Sequence, residues 1–418
     1  MPRTCSYSFR GRTAPAEWRL QGTDLLITPR SGPTLPIRLK EVSGIAGDGY
    51  ALRLAIGTET LCLERLGAEG PALLDGLRRA WLPLRAETLR LAGNGSGQPY
   101  AGSVVGAAAS TPYHGLLFEE IFLFAPEGHD VQPLFLSLLS DVRLDDKTYV
   151  ITCSPWEGAS VVFGRMAGQT AAFVEKLAEL RSRLADETSA VLARSLSTVD
   201  PVERSELSGL WLPGRVMSLV EMEGACGGFV QGLRSTWLPS LPRRAEAELL
   251  LTLADSKNVF LGIGPKAGDR EPGDDGETGI SPPSEPARPE SEDASPAATS
   301  EGAVRAPAAQ EPGDEILWLL VFRGDEWLLE ALSETDHATY RFEGGHEIPS
   351  LVSMILCSPR LRWESIFLPL ESFTGDRADL AIACGALPFL RELRSRFKGR
   401  IIHTSLESWS HAARERTP

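Results

Sequence analysis

Residues 35–83 read LPIRLKEVSGIAGDGYALRLAIGTETLCLERLGAEGPALLDGLRRAWLP. The first part, LPIRLKEV, YALRLAIG and ETLCLERL, alternates apolar and polar residues between Gly and Asp turns, which predicts antiparallel strands. The period then changes. In GPALLDGLRRAWLP, Pro71 suits a first helical turn, Leu73, Leu74, Leu77 and Trp81 share one helical face, and Pro83 predicts the helix end. Upstream, YSFRG, EWRLQG and DLLITPR extend the ladder. Residues 5–88 therefore predict a small barrel or sandwich of short strands followed by one amphipathic helix.

That helix is echoed. LLDGLRRAWLP at 73–83 and FVQGLRSTWLP at 229–239 share six of eleven residues, and LAELRSRL at 177–184 matches LRELRSRF at 390–397. Repetition of this kind constrains architecture before it names a function. The two echoes are displaced by 156 and 213 residues. Their difference is close to the length of the segment 265–313, which has nine prolines, no leucine and no aromatic residue. Such a composition does not offset the entropy of ordering and predicts a disordered tether. NVFLGIG before it and EILWLLVF after it both read as strands, so the tether is expected to interrupt one sheet rather than to separate two domains.

The order of strand ladder and helix resembles the pleckstrin-homology-like (PH/GRAM-like) modules of bacterial type. The resemblance rests on 35–66 and on LLDGLRRAW, with Trp81 where that family buries a helix tryptophan in a seven-stranded barrel. It implies an α+β chain of several small antiparallel barrels or sandwiches, each closed by a C-terminal helix. The expected units are 1–86, a larger one at 87–198, a helical connector or degenerate module at 199–243, and a third at 244–418 interrupted by 265–313. The helices near 169–184 and 386–397 depart from the pattern, since neither carries the tryptophan. In the last unit AELLLTLAD, LVSMILC and WESIFLPLESF read as strands.

The formal charge is −14, and half of it lies in 265–313, where 11 Asp or Glu face 4 Lys or Arg. This balance argues against nucleic acid as a partner. No apolar run reaches the length of a membrane span, MPRTCSYSFRGRTAP lacks a signal-peptide core, and six scattered cysteines without a CxxC suit a reducing compartment. The expectation is a cytoplasmic protein without a transmembrane segment.

Chemistry is harder to find. The histidines (His114, His129, His337, His346, His403, His411) show no zinc spacing. GNGSG at 93–97 and GIGPKAG at 262–268 match no phosphate loop, and no GxSxG elbow occurs. Glu119 and Glu120 interrupt GLLFEEIFLFAP, where they would protect a strand edge. No catalytic residue, cofactor or metal is expected. The resemblance implies binding of proteins or of lipid. An anionic ligand would be held by Arg10, Arg12, Arg19 and Arg38, and Trp81, Trp211 and Trp237, each in Trp-Leu-Pro, would be packing anchors. A non-enzymatic, multi-module scaffold for protein partners is the leading expectation. Peripheral binding of anionic lipid or phosphoinositide is the second, and an enzyme with a site between modules the third.

Overall fold

A computed structural model of the chain describes residues 3–47, 50–93, 95–106, 109–241, 243–265, 315–333, 338–403 and 406–415. The expected tether, apart from Pro265, and His337 lie outside them. The protein combines helices with three antiparallel sheets.

The first sheet uses β1 (Arg3–Phe9), β2 (Arg12–Gln21), β3 (Asp24–Pro29), β4 (Leu35–Arg38), β5 (Val42–Gly47), β6 (Ala51–Ile56) and β7 (Glu59–Glu64), in the order β4-β3-β2-β1-β7-β6-β5. The first strand pairs with the last, so the ladder curls around one interior. Alternation fills it: Leu61 and Leu63 are fully buried, whereas Thr60 is exposed and Cys62 half-buried. Helix α1 (Gly70–Thr88) adds Leu73, Leu77 and Trp81 to that core, each worth about 2 kcal/mol of apolar burial.

The second sheet repeats the plan with β8 (Gln98–Val105), β9 (Ser110–Leu117), β10 (Ile121–Pro126), β11 (Gln132–Phe135), β12 (Leu139–Asp145), β13 (Val150–Pro155) and β14 (Val161–Gly164). Its order, β11-β10-β9-β8-β14-β13-β12, is the same, and α2 (Thr170–Ser195) buries Phe173, Leu177, Leu180 and Leu184. GLLFEEIFLFAP is a hairpin, not one strand; Glu119 lies in its turn, 3.2 Å from Arg183. Detail repeats as well. A one-turn 3-10 helix precedes both β5 and β12, each of which starts with a bulge. Ser43 and, 97 residues later, Ser140 donate across those bulges to Ala55 O and Ser154 O. The Trp81 indole donates to Val42 O at 2.8 Å. Its counterpart, Arg181, donates to Leu139 O at the same distance. The tryptophan missing from the second helix is thus replaced by another N–H donor to the matching carbonyl.

The third sheet departs from the barrel expected for 244–418. It is a six-stranded meander of β15 (Val216–Ser218), β16 (Val259–Pro265), β17 (Glu315–Arg323), β18 (Glu326–Ala331), β19 (Ala338–Glu343) and β20 (Phe397–Ile402), in that order. Its edge strand comes from inside the expected connector 199–243. β16 and β17 pair from Val259↔Val321 to Pro265↔Glu315, so the tether does interrupt one sheet. Both faces are covered: Ile316, Trp318 and Leu320 join one core, Leu317, Leu319 and Val321 another. That is why EILWLLVF is apolar without interruption.

Three strand expectations fail here. AELLLTLAD, LVSMILC and WESIFLPLESF contain the helices Arg244–Thr252, Glu347–Leu356 and Glu364–Phe367. Short apolar runs do not distinguish a buried strand from a buried helix, and Ile348, Leu351, Val352, Ser353 and Ile355 bury most of the second helix. Two of the three Trp-Leu-Pro stops fail too. α1 runs through Pro83, where the carbonyl left over is that of exposed Arg79, within reach of water. Pro239 sits in a continuous helical stretch, 229–240, whose π turn Leu233–Trp237 takes up the misfit. Only Pro213 follows a helix end, that of Pro201–Leu210.

The first two units are fixed to each other by the β10–β11 turn. Arg85, 3% exposed, donates to both carboxylate oxygens of Asp130 (2.9 and 2.5 Å) and to Lys40 O at 2.8 Å. Gly128 N donates to Ile45 O, and a Cβ on Gly44 would lie 2.7 Å from Gly128 O, so the backbones meet only because residue 44 is glycine, while Gly128 supplies the turn's positive φ of +79. Beside them Arg78 bonds Glu127 at 2.6 Å and faces His114. The C-terminal helix Leu406–Glu415 is fixed through Thr339, whose hydroxyl donates to Glu330 (2.6 Å) and accepts from the Trp409 indole (2.7 Å) and from His403 Nε2 (2.8 Å). Arg243 closes this ring, donating to His403 Nδ1 and pairing with Glu330 at 3.0 Å.

Thr339→Val keeps the shape and removes one donor and two acceptor bonds in a buried network, so urea unfolding should show a loss of about 2–3 kcal/mol. Burial, aided by Arg78, pushes the His114 imidazole below its ordinary 6.5. The unfolded chain then takes up a proton below pH 6.5 that the folded chain refuses, so stability falls as pH drops through that value. In His114→Gln this part of the Tm–pH profile should flatten.

Candidate binding cleft

Where the second unit meets the third, a cleft of about 300 Å³ opens between the 3-10 turn after β11, the loop after β13, β15 and the helix Glu347–Leu356. Its floor is apolar, with Phe135 and Leu139 from one unit and Phe260 and Met354 from the other. Such a size lies at the lower end of ligand pockets.

Two side chains give the cleft its character. Trp156 follows β13, is held by a backbone bond to Leu138 O at 2.9 Å, and leaves 40% of its surface exposed. Arg215 comes from the turn between the Pro201–Leu210 helix and β15. That turn is tightly made. Gly214 has φ +85, donates to Ile263 O at 2.6 Å, and has no room for a Cβ, which would stand 2.5 Å from Cys357 Sγ. The Trp211 indole donates to Arg215 O at 2.9 Å, and Val216 N donates to Ser353 Oγ at 3.0 Å. The backbone on both sides of Arg215 is thereby fixed. Its guanidinium lies 3.7 Å from the centre of the Trp156 ring and donates to Leu210 O.

Arg215 is 6% exposed, yet no carboxylate stands within ion-pair distance of it among the described residues. Glu157 and Glu221 line the same cleft, both exposed. Glu221 is engaged elsewhere, accepting from Ser218 N (3.0 Å) and Oγ (2.7 Å) at a helix start. Burial lowers the pKa of Arg215 to about 10, against the opposing pull of these two glutamates. Desolvation outweighs their attraction.

Ser353 Oγ accepts from Val216 N and donates to Pro349 O, and the lining includes no His, Cys or Asp. Burial raises the thiol of Cys153 to about 12 and those of Cys5 and Cys226 to about 11. Among the described residues no three His, Cys, Asp or Glu side chains form a metal-binding group, and no helix is long and apolar enough to cross a membrane.

The four expected anion-binding arginines fall into two groups. Arg10 occupies the β1–β2 turn, 2.5 Å from Glu59, with Arg12 beside it. Arg19, bonded to Gln21, and Arg38, 3.5 Å from Glu41, lie toward the β2–β3 turn. Arg12 and Arg19 are seven positions apart along β2, about 23 Å. The three tryptophans are buried. Trp81 lies inside the first unit, while Trp211 and Trp237 pack together at 5.9 Å. Arg215 and Trp156 escaped the sequence reading. One signal was there: Arg215 is the lone charge in SGLWLPGRVMSLV (208–220), and an isolated cation in an apolar run marks burial.

Gly214→Ala should cost about 2 kcal/mol or more in chemical unfolding, since the positive φ and the clash act together. Compared with known proteins, the chain matches no family model and no curated sequence.

Proposed function

We propose that the chain is a non-enzymatic protein-interaction scaffold, with two PH-like modules rigidly joined and docked on a third unit, and that its binding surface is the cleft between the second and third units. The seven-strand order in which the first strand pairs with the last, and the helix that follows each ladder, support the PH-like reading of the first two units. The observation that carries the functional reading is the cleft itself. It joins an exposed indole, a buried cation and an apolar floor. Aromatic and arginine side chains are the residues that most often anchor a protein partner.

The lipid reading draws on less. A headgroup site needs convergent cations, whereas Arg10 and Arg38 pair with Glu59 and Glu41 and stand at opposite ends of the strands.

A photo-crosslinking amino acid placed at Trp156 in the full chain, in its native cells, should form a protein adduct that the same label at exposed Val105 does not. No adduct beyond the Val105 control would remove the reading. In parallel, vesicles containing phosphatidylserine and phosphoinositide should not sediment the chain at low salt. Sedimentation lost on Arg10→Glu with Arg12→Glu would establish the lipid alternative instead.

A further inference from the structure

We infer that the cleft is a carboxylate-recognition site: Arg215, lying over the Trp156 ring, receives an Asp or Glu side chain from an extended acidic segment of a partner protein. The inference rests on the cleft being the binding surface and names the chemistry of what enters it.

A guanidinium taken out of water loses solvation, and the loss is ordinarily offset by a paired carboxylate. The other two buried arginines among the described residues follow that rule. Arg85 grips Asp130 with two bonds, and Arg243 pairs with Glu330. Arg215 is buried to the same degree and has one carbonyl and one aromatic ring. A guanidinium carries five N–H donors in a planar fork, so most of those on Arg215 are left to the cleft. The Trp156 ring covers one side of the cation at 3.7 Å, and a carboxylate is the acceptor that matches a guanidinium fork.

The surroundings select among anions. Glu157 and Glu221 are exposed and screened, too weak to offset the burial of Arg215, yet they place two negative charges at the rim. One cation between them suits a single negative charge and disfavours a dianionic phosphate. Next to the cation, Phe135, Phe260 and Met354 provide an apolar floor for the residue beside the carboxylate. The ligand expected is therefore an acidic residue adjacent to an apolar one in an extended backbone.

The test is to pan a random dodecapeptide phage library against the full-length chain at low salt, and to measure the enriched peptides by fluorescence anisotropy. Enriched peptides should carry Asp or Glu beside an apolar residue and weaken with salt. They should bind about tenfold or more weakly to Arg215→Gln, with part of the affinity kept by Arg215→Lys. Thermal melting checks that the variant folds. Should it not fold, changing the peptide's own Asp or Glu to Asn or Gln, measured on the unaltered protein, gives the same readout. Peptides without acidic residues that need Trp156 but bind Arg215→Gln as well as the unaltered chain would overturn the carboxylate assignment and leave the cleft as a binding surface. A library that yields no peptide sensitive to Trp156→Ala would overturn both.

Discussion

The placement of the first two units turns on Arg85. Its guanidinium, almost wholly removed from water, spans from a carbonyl of its own unit to both oxygens of Asp130 in the next. Breaking either side would strand a buried charge, which makes the joint far stiffer than a surface ion pair. The missing side chain of Gly44 lets the two backbones come close beside that bond, and Lys40 extends the same corner to Asp379 in the helix Ala378–Ala386. Phe135, close to the joint, packs edge-on against Phe389 of the last unit at 6.0 Å. A single core runs through all three units, and the cleft is the gap left where the second and third do not quite meet.

The two repeated units show which parts of such a ladder are interchangeable. Core residues vary freely in type, Leu against Phe or Ile, as packing allows. What recurs is the handling of the backbone at the bulge. A serine crosses it, and an N–H from the helix caps the carbonyl at its start, whether that N–H is an indole or a guanidinium. A buried carbonyl left without a donor is costly, so the bond is kept although the residue is not.

Much of this was legible. The strand ladder of the first unit, the amphipathic face of α1 and the strands that flank 265–313 follow from alternation, 3.6-residue spacing and composition. The period of the duplication was not legible from the echoes at 73–83 and 229–239, because those helices serve different units. The repeat lies at offsets of 97 to 100 and is carried by backbone bonds that leave little trace in residue identity. The helices of the last unit were misread for a plain reason. Glu347–Leu356 is buried on most sides and has no polar stripe to betray its period.

The sequence by itself therefore determined local periodicity: where strands alternate, where a helix presents an apolar face, and where chain composition forbids a core. Those properties depend on neighbours a few residues away. Only the tertiary structure decided that α1 passes through its proline, that both faces of the third sheet are covered, and that Arg215 reaches Trp156 with no carboxylate in ion-pair distance among the described residues. The last two depend on groups far apart in the chain, brought together by packing, and the electrostatic cost of burying Arg215 exists only once they meet.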